Sequence, residues 1–141
     1  MYSIRGFTLS DYEAAIDLWH RSKGVVLSEA DSREAIAAYL NRNVGLSLVA
    51  TKGECIVATL LCGHDGRRGY LHHLAVDEQV RRHGIGRALV ERALDLLTRE
   101  GIEKCYAIVL GTNEEGARFW RELGWEHRTG LEMFSQFSRG R

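Results

Sequence analysis

The sequence predicts a single-domain α+β fold in which helices flank a mixed, mostly antiparallel central sheet. One observation is the length, because 141 residues fit one domain, over 1–141, that can bury ~70% of its unfolded surface. Another is the composition, since 45% apolar and 27% charged residues are typical of a globular protein. The third is the order of hydrophobic periodicities along the chain, which alternates between the spacing of strands and that of helices.

The first half of the chain predicts four strands and two helices. Alternating apolar residues indicate the strands, and apolar residues every few positions indicate the helices. Residues 31–34 have the pattern of a capping box at the start of the second helix. Residues 51–54 have the composition of a hairpin turn. The predicted elements are strands over 2–7, 46–50, 55–62 and 70–76 and helices over 10–22 and 32–40.

The strongest helical signal of the chain begins at Ile85, from which apolar residues recur at helical spacing as far as Leu97. Gly101 suits the position after this helix, which is commonly a glycine. Asn113 can cap a shorter helix. The remaining predicted elements are strands over 104–110, 125–128 and 131–137 and a helix over 113–123.

Charge and composition exclude several classes of protein. The 19 basic and 19 acidic residues cancel without a charged tail, so we expect no nucleic-acid partner and no attraction to an anionic membrane. No apolar run reaches the ~20 residues of a membrane span, and the first residues lack the apolar stretch of a signal peptide. The three cysteines show no C-x-x-C spacing, and the six histidines show no metal-ligand spacing. We therefore expect a cytoplasmic protein without a metal site.

A short basic glycine loop, Arg81-x-x-Gly84-x-Gly86, precedes the strongest predicted helix. The first N–H groups of a helix lack helical partners, and with the helix dipole they attract phosphate. Glycine at 84 and 86 lets a diphosphate approach the backbone. Arg81, Arg82 and Arg87 add positive charge. The loop also fits an ordinary helix entry with solvated arginines. It lacks the third small residue of a dinucleotide fingerprint and the Lys-Ser/Thr of a Walker A loop.

The wider context of this loop carries a resemblance to a known family. Leu74-Ala75-Val76 precedes the loop, and Asn113-x-x-x-Ala117-x-Phe119-Trp120-x-x-Leu123-Gly124-Trp125 follows the long helix. Together with the order of strands and helices over nearly the whole chain, these motifs resemble the GNAT N-acetyltransferase superfamily. The resemblance implies an enzyme that transfers an acetyl group from acetyl-CoA, its co-substrate, directly to an amine in a ternary complex.

The resemblance also implies how the coenzyme is held. In this family the amides of the loop bind the diphosphate of the coenzyme. The strand before the loop pairs its free backbone groups with the pantetheine arm and the thioester. Asn113 matches an asparagine that contacts the coenzyme arm, and this role is compatible with a helix cap. The implied coenzyme-binding residues are Leu74, Ala75, Val76, Arg81, Arg82, His83, Gly84, Ile85, Gly86, Arg87, Asn113 and Trp120.

Position 120 departs from the family pattern. Many relatives have a tyrosine there that protonates the departing thiolate, whereas this chain has Trp120. An indole N–H is a donor only and cannot serve as a general acid near neutral pH. Trp120 then packs on the coenzyme or the core, and water or another group such as Tyr106 supplies the proton. The departure favours one alternative, a catalytically degenerate acyl-CoA-binding or regulatory protein of the same fold. A second alternative, a nucleotide-binding module, rests on the glycine loop alone.

A general base is also needed, because an ammonium has no lone pair with which to attack a thioester. Relatives place a glutamate or a histidine for this purpose on the strand before the loop. The two-residue period of a strand puts Tyr70, His72 and Leu74 on one face and His73 on the other. We therefore expect His72, with Tyr70 beside it, to be catalytic, and His73 to face the core or a helix.

The resemblance places the acceptor between the first two helices, the loop that joins them and the ends of the strands. Carboxylates in this region would attract a cationic amine, and Asp31 fits a helix cap equally well. The implied acceptor-binding residues are Trp19, Glu29, Asp31, His64 and Asp65. The sequence leaves the acceptor open as a small-molecule or peptide amine, and it leaves open a homodimer, which is common in the family.

Overall fold

A five-stranded sheet organises the molecule, and its strands lie side by side in chain order. The computed structural model describes residues 1–140. Neighbouring strands pair antiparallel except for the last two, which are parallel. The strands are β1 (Ser3–Gly6), β2 (Leu48–Lys52), β3 (Cys55–His64), β4 (Gly69–Val76) and β5 (Cys105–Ala107). The sheet is mixed and mostly antiparallel, which confirms the predicted fold class.

Helices cover both faces of this sheet. They are α1 (Tyr12–His20), α2 (Arg33–Arg42), α3 (Ile85–Arg99) and α4 (Glu114–Glu122), with single 3₁₀ turns at Leu9–Asp11, Glu29–Asp31 and Glu78–Val80. The apolar face of α3 packs on one side of the sheet through Leu89, Ala93 and Leu97. α1 and α2 pack on the other side, where Trp19 and Ile36 are buried. Within residues 1–140, no helix is both long enough and apolar enough to cross a membrane.

Side-chain caps fix where α2 and α4 begin. The Ser32 hydroxyl accepts a hydrogen bond from the Ala35 amide at 3.1 Å, which satisfies one of the free amides at the start of α2. The capping box predicted over 31–34 is wrong, because Ser32 rather than Asp31 is the N-cap of α2. The Asp31 carboxylate contacts the Ser28 amide and the His73 ring instead. Asn113 is a cap as predicted, and its side chain accepts from the Gly116 amide at 3.0 Å.

A β-bulge interrupts β4 near its centre. The register of β4 with β3 shifts after the pair His72–Leu61, so that His73 and Leu74 together lie opposite a single residue of β3. His73 has a φ of 50°, in the left-handed region that non-glycine residues rarely adopt. Because two residues face one, the two-residue period of side chains is broken at this point.

The bulge overturns the prediction that His72 and Leu74 share a face. Leu71 and Leu74 both pack with the α3 core. Since successive side chains of a regular strand alternate, His72 lies on the face opposite to Leu71 and therefore opposite to Leu74. His73 faces a helix as predicted: its ring contacts Trp19 of α1 at a centroid distance of 4.7 Å. The two adjacent histidines therefore lie on the same side of the sheet.

The end of the chain differs most from prediction. β5 covers only Cys105–Ala107 rather than 104–110, because its pairing with β4 extends no further. Neither of the strands predicted over 125–128 and 131–137 forms within the described residues, since a strand needs a hydrogen-bonded neighbour and this segment pairs with none. Its large apolar side chains are exposed, namely Leu131, Met133, Phe134 and Phe137.

Candidate active site

A cleft begins where β5 separates from β4. The two strands pair only as far as Leu71 and Ala107. The space between them has a volume of about 990 Å³, at the upper end of the ~300–1,000 Å³ typical of small-molecule and cofactor sites. Its walls come from β4, the loop before α3, the start of α3, α4 and the loop after α1. Separation of neighbouring strands leaves backbone groups free to bind a ligand.

The loop between β4 and α3 presents free N–H groups to this cleft. α3 begins after Gly84, an N-cap residue with a φ of 77° and no side chain to cap the helix. No acidic side chain lies in the first turn of α3. The N–H groups of residues 82–87 consequently find no hydrogen-bond acceptor within residues 1–140. With the helix dipole they form a site suited to phosphate.

Basic side chains surround this loop, and some are engaged. Arg81 Nε donates to the carbonyl of Val76 at 3.1 Å, and the Arg81 guanidinium lies 3.7 Å from the carboxylate of Glu115 in α4. Arg81 thus connects the two sides of the cleft. Arg87 pairs with a glutamate one turn further along α3 at 3.6 Å. Arg82 is exposed and makes no ion pair in the part of the chain that the structure describes, so its charge is available to a ligand.

The free edge of β4 forms the other wall. The Asp77 amide donates to the Val57 carbonyl of β3 at 2.8 Å. Alternate residues of a strand direct their polar backbone groups to opposite edges, so those of Ala75 also face β3. By the same alternation, those of Leu74 and Val76 face the cleft. The Val76 N–H and the backbone groups of Leu74 are therefore directed to the cleft, where the Val76 carbonyl already accepts from Arg81, whereas Ala75 lines the cleft with its backbone groups directed to β3.

Two glycines permit close approaches around the cleft. A Cβ on Gly86 would lie 3.2 Å from the Phe119 ring, so the first turn of α3 packs tightly against α4. A Cβ on Gly24 would lie 2.5 Å from Asn113 Nδ2. The loop after α1 therefore contacts the cap of α4, and this contact brings Lys23–Val25 to the edge of the cleft.

Of the two adjacent histidines of β4, His73 lines the cleft and His72 does not. His72 stacks on Tyr70, with ring centroids 6.4 Å apart and planes within 8°. Burial and then the neighbouring His73 lower the pKa of His72 below its usual value, while Asp31 acts in the opposite direction. Burial therefore favours the neutral form of the His72 ring. The structure places the predicted catalytic pair, Tyr70 and His72, outside the wall of the cleft.

His73 is held by a network of buried groups. Its Nε2 lies 2.7 Å from Oδ1 of Asp31, whose side chain is buried. Its carbonyl accepts from Thr59 Oγ1 at 2.9 Å, and Thr59 in turn accepts from Trp19 Nε1 at 2.8 Å. These contacts hold the left-handed backbone of the bulge in place. Sequence reasoning missed His73 as a cleft residue, because its partner Asp31 is 42 residues away and no glycine indicates the bulge.

The residues predicted to bind the acceptor do not converge on one site. Trp19 is fully buried and belongs to the core, and Asp31 is buried as well. Glu29 is exposed on the 3₁₀ turn before α2. His64 and Asp65 lie at the β3–β4 turn, where His64 contacts a glutamate at the end of α3 and Asp65 accepts from amides of the turn. That turn is at the far end of β4 from the bulge and outside the cleft wall.

Comparison with known proteins agrees with this geometry. A model of the Acetyltransferase (GNAT) family matches residues 12–125, which include the glycine loop, the sheet from β2 onward and α4. The chain belongs to the GNAT acetyltransferase family. Its members are acyltransferases that use acetyl-CoA, so the cleft is a candidate active site of this class.

Solved structures of GNAT proteins share the fold. Ard1 from Thermoplasma volcanium has a TM-score of 0.77 at 22% identity, covering 87% of this chain and 81% of that chain. The ribosomal-protein-S18-alanine N-acetyltransferase from Escherichia coli has a TM-score of 0.74 at 24% identity, over 92% and 80% of the two chains. The PaiA N-acetyltransferase from Thermoplasma acidophilum, in complex with coenzyme A, has a TM-score of 0.74 at 19% identity, over 87% and 88%.

The GNAT coenzyme fits the residues present in this cleft. The free N–H groups of residues 82–87 match the needs of a diphosphate, and the exposed Arg82 adds a cation beside them. The unpaired edge of β4 matches the needs of a pantetheine arm, which carries amide donors and acceptors. Within residues 1–140, no group of three or more His, Cys, Asp or Glu side chains is arranged to hold a metal ion.

Trp120 stands where many GNAT proteins have a tyrosine. It is half-buried, lines the cleft, and packs on Phe119 and Trp125 with ring centroids 5.2 and 4.4 Å away. The indole therefore supports α4 and the chain that follows it. Tyr106, which was predicted as a proton donor alongside water, packs on Tyr70 with ring centroids 5.7 Å apart and is outside the cleft wall. Neither Trp120 nor Tyr106 is therefore a side chain that could protonate a thiolate in the cleft.

Proposed function

We propose that this chain is an acetyl-CoA-dependent N-acetyltransferase that moves an acetyl group directly to an amine. The observation that carries the proposal is that one cleft combines the free N–H groups of residues 82–87 with the separated edges of β4 and β5. The N–H groups provide a site for a diphosphate, and the separated strands provide a channel for the arm attached to it. Bound there, acetyl-CoA supplies a thioester whose carbonyl carbon accepts the amine.

Different residues of the cleft bind the diphosphate, align the pantetheine arm and stabilise the charge that develops during attack. The N–H groups of residues 82–87 and the guanidinium of Arg82 hold the diphosphate. The backbone of Val76 and Leu74 aligns the pantetheine arm through hydrogen bonds of the kind that join neighbouring strands. We assign to the N–H of Leu74, a residue of the bulge, the stabilisation of the negative charge that develops on the thioester oxygen during attack.

The amine reaches the thioester from the side of the sheet that carries α1 and α2, because α3 and α4 together close the other side of the cleft. On that side the loop Lys23–Val25 forms the edge of the cleft. The acceptor classes to test are small amines, amino acids, amine antibiotics and peptide N-termini. The Escherichia coli neighbour is an N-acetyltransferase of an alanine of ribosomal protein S18, which supports including peptides.

Calorimetry and thiol release test this proposal together. Acetyl-CoA is titrated into the protein, with ATP and NAD as competitors. Release of coenzyme A thiol is then followed with spermidine, 2-phenylethylamine, lysine, kanamycin and an alanine-starting tetrapeptide. We expect acetyl-CoA to bind in preference to both nucleotides and at least one amine to accelerate release. Binding without release would identify an acyl-CoA-binding protein without turnover, and failure to bind acetyl-CoA would overturn the proposal.

Trp120→Tyr should retain or raise turnover, because it places a phenol where the indole cannot act as an acid. The measurement is kcat at saturating acetyl-CoA with the best amine of the panel. A more than tenfold loss in a folded variant, about 1.4 kcal/mol, would mean instead that the indole positions a substrate. Trp125→Tyr is the matched control, since Trp125 packs on Trp120 but is not part of the cleft wall.

A further inference from the structure

We propose that His73 and Asp31 form a dyad, in which His73 is the general base of acetyl transfer and Asp31 is a positioning residue that fixes the proton on the His73 ring. The inference rests on the proposed function and moves the base from His72 to its neighbour. It starts from two observations: the 2.7 Å contact between His73 Nε2 and Asp31 Oδ1, and the place of His73 in the cleft wall.

The carboxylate of Asp31 is rigidly held. Its Oδ2 accepts from the Ser28 amide at 3.0 Å, across the 3₁₀ turn before α2. The backbone carbonyl of the same residue accepts from the Tyr12 hydroxyl at 2.6 Å, which ties the turn to α1. Both contacts are buried or partly buried, so the carboxylate has little freedom. Oδ1 is the oxygen left to hold the ring of His73.

This contact determines which nitrogen of the ring carries the proton. A carboxylate oxygen accepts hydrogen bonds, so Nε2 of His73 is the donor and Nδ1 keeps the lone pair. Nδ1 makes no hydrogen bond within residues 1–140, and it keeps some solvent-exposed surface. The lone pair is therefore accessible, on a residue that lines the cleft.

The position of His73 also suits the direction of attack. The residue that follows it is Leu74, whose N–H we assign to the thioester oxygen. The His73 ring lies on the α1 side of the sheet, against Trp19, and this is the side from which the amine arrives. The bulge produces both placements at once, because it puts the side chain of residue 73 on one face and that of residue 74 on the other.

The protons balance with these groups alone. The acceptor ammonium gives one proton to Nδ1 of His73, and the amine nitrogen of the acceptor thereby gains a lone pair. His73 passes this proton to water. The nitrogen then forms a bond to the acetyl carbon, and the bond between that carbon and sulfur breaks with its electron pair on sulfur. The second proton leaves the nitrogen and ends on the sulfur as the free thiol. The products are the acetylated amine, coenzyme A and one proton in water.

Asp31→Asn tests the dyad with little change in shape. The amide oxygen can still accept from Ser28, but the amide nitrogen then faces Nε2 and donates to it, which moves the ring proton to Nδ1. We expect kcat to fall by ~10²–10⁴-fold with the best amine of the panel, while KM for acetyl-CoA is unchanged because the diphosphate contacts lie elsewhere. His73→Gln should lose kcat to the same degree.

Nitrogen-15 NMR of the ring gives a readout that does not depend on turnover. In the wild type we expect the His73 proton on Nε2, and in Asp31→Asn on Nδ1. A pair with a purely structural role would instead lower the melting temperature of Asp31→Asn and leave kcat unchanged. Glu34→Gln removes an exposed carboxylate near the same turn and His20→Gln removes an exposed histidine, and both should keep the wild-type kcat.

Full kcat in a folded Asp31→Asn or His73→Gln variant would overturn the dyad, and so would a ring tautomer that Asp31→Asn leaves unchanged. Loss of kcat in His72→Gln with full kcat in His73→Gln would return the base to His72. These outcomes differ from a failure of the proposed function, in which the wild type itself does not bind acetyl-CoA or releases no thiol with any amine. The tautomer measurement decides the role of Asp31 even in that case.

Discussion

Acetyl-CoA should no longer bind when Gly84 is replaced by glutamate. Gly84 caps α3 with a φ of 77°, and a Cβ built there meets nothing within 4 Å, so the new side chain projects into open space beside the loop. Its carboxylate would compete for the free N–H groups of residues 82–87 and repel a diphosphate. We expect affinity by calorimetry to fall at least ~100-fold, about 2.7 kcal/mol.

Gly53→Glu is the matched control for this variant. Gly53 lies in the β2–β3 turn with a φ of 63° and open space at its Cβ, so the substitution adds the same charge and a similar backbone strain away from the cleft. It should leave the affinity for acetyl-CoA unchanged. If a folded Gly84→Glu protein binds acetyl-CoA as the wild type does, the loop before α3 is not the diphosphate site.

Trp19→Ala should lower the free energy of unfolding by ~3–5 kcal/mol, because it empties a large site in a closely packed core. The Trp19 side chain has no exposed surface and lies among Phe7, Thr59 and His73. The loss is a large share of the ~5–15 kcal/mol that stabilises a typical domain. Urea denaturation at neutral pH measures it, and a loss below ~1 kcal/mol would contradict this account of the core.

Trp19→Phe separates the packing of the indole from its hydrogen bond. It keeps an aromatic ring but removes the N–H that donates to Thr59 at 2.8 Å. The smaller loss expected, ~1–3 kcal/mol, reflects the buried hydroxyl left without its donor and the lost ring volume. Because Thr59 also donates to the carbonyl of His73, this variant additionally tests how strongly the core supports the bulge.

Sequence could predict the parts of the structure that depend on local patterns. The α3 helix and the glycine loop before it are encoded within one short segment, by the apolar spacing from Ile85 and by Gly84. The Asn113 cap is equally local, since its acceptor and donor are three residues apart. The order of strands and helices follows from the same kind of pattern, and this order defined the predicted fold class.

The parts that sequence did not predict depend on distant contacts. The register of β4 is set by β3, so the bulge at His73 is invisible in the residues of β4 alone. The pairing of His73 with Asp31 joins segments 42 residues apart. The pattern of 131–137 is that of a strand, but a strand also needs a partner, and within residues 1–140 the fold supplies none.

β4 contains one residue more than its pairing requires. Leu71 and Leu74 reach the same side of the sheet although they are three positions apart, and in an unbroken strand that separation would be two. Without residue 73, Leu74, Ala75 and Val76 would keep the sides that they have now, so the strand pairing does not depend on it. His73 is thus a supernumerary residue in architectural terms. Its left-handed backbone is the conformational cost of putting an imidazole between Trp19 in the core and the wall of the cleft.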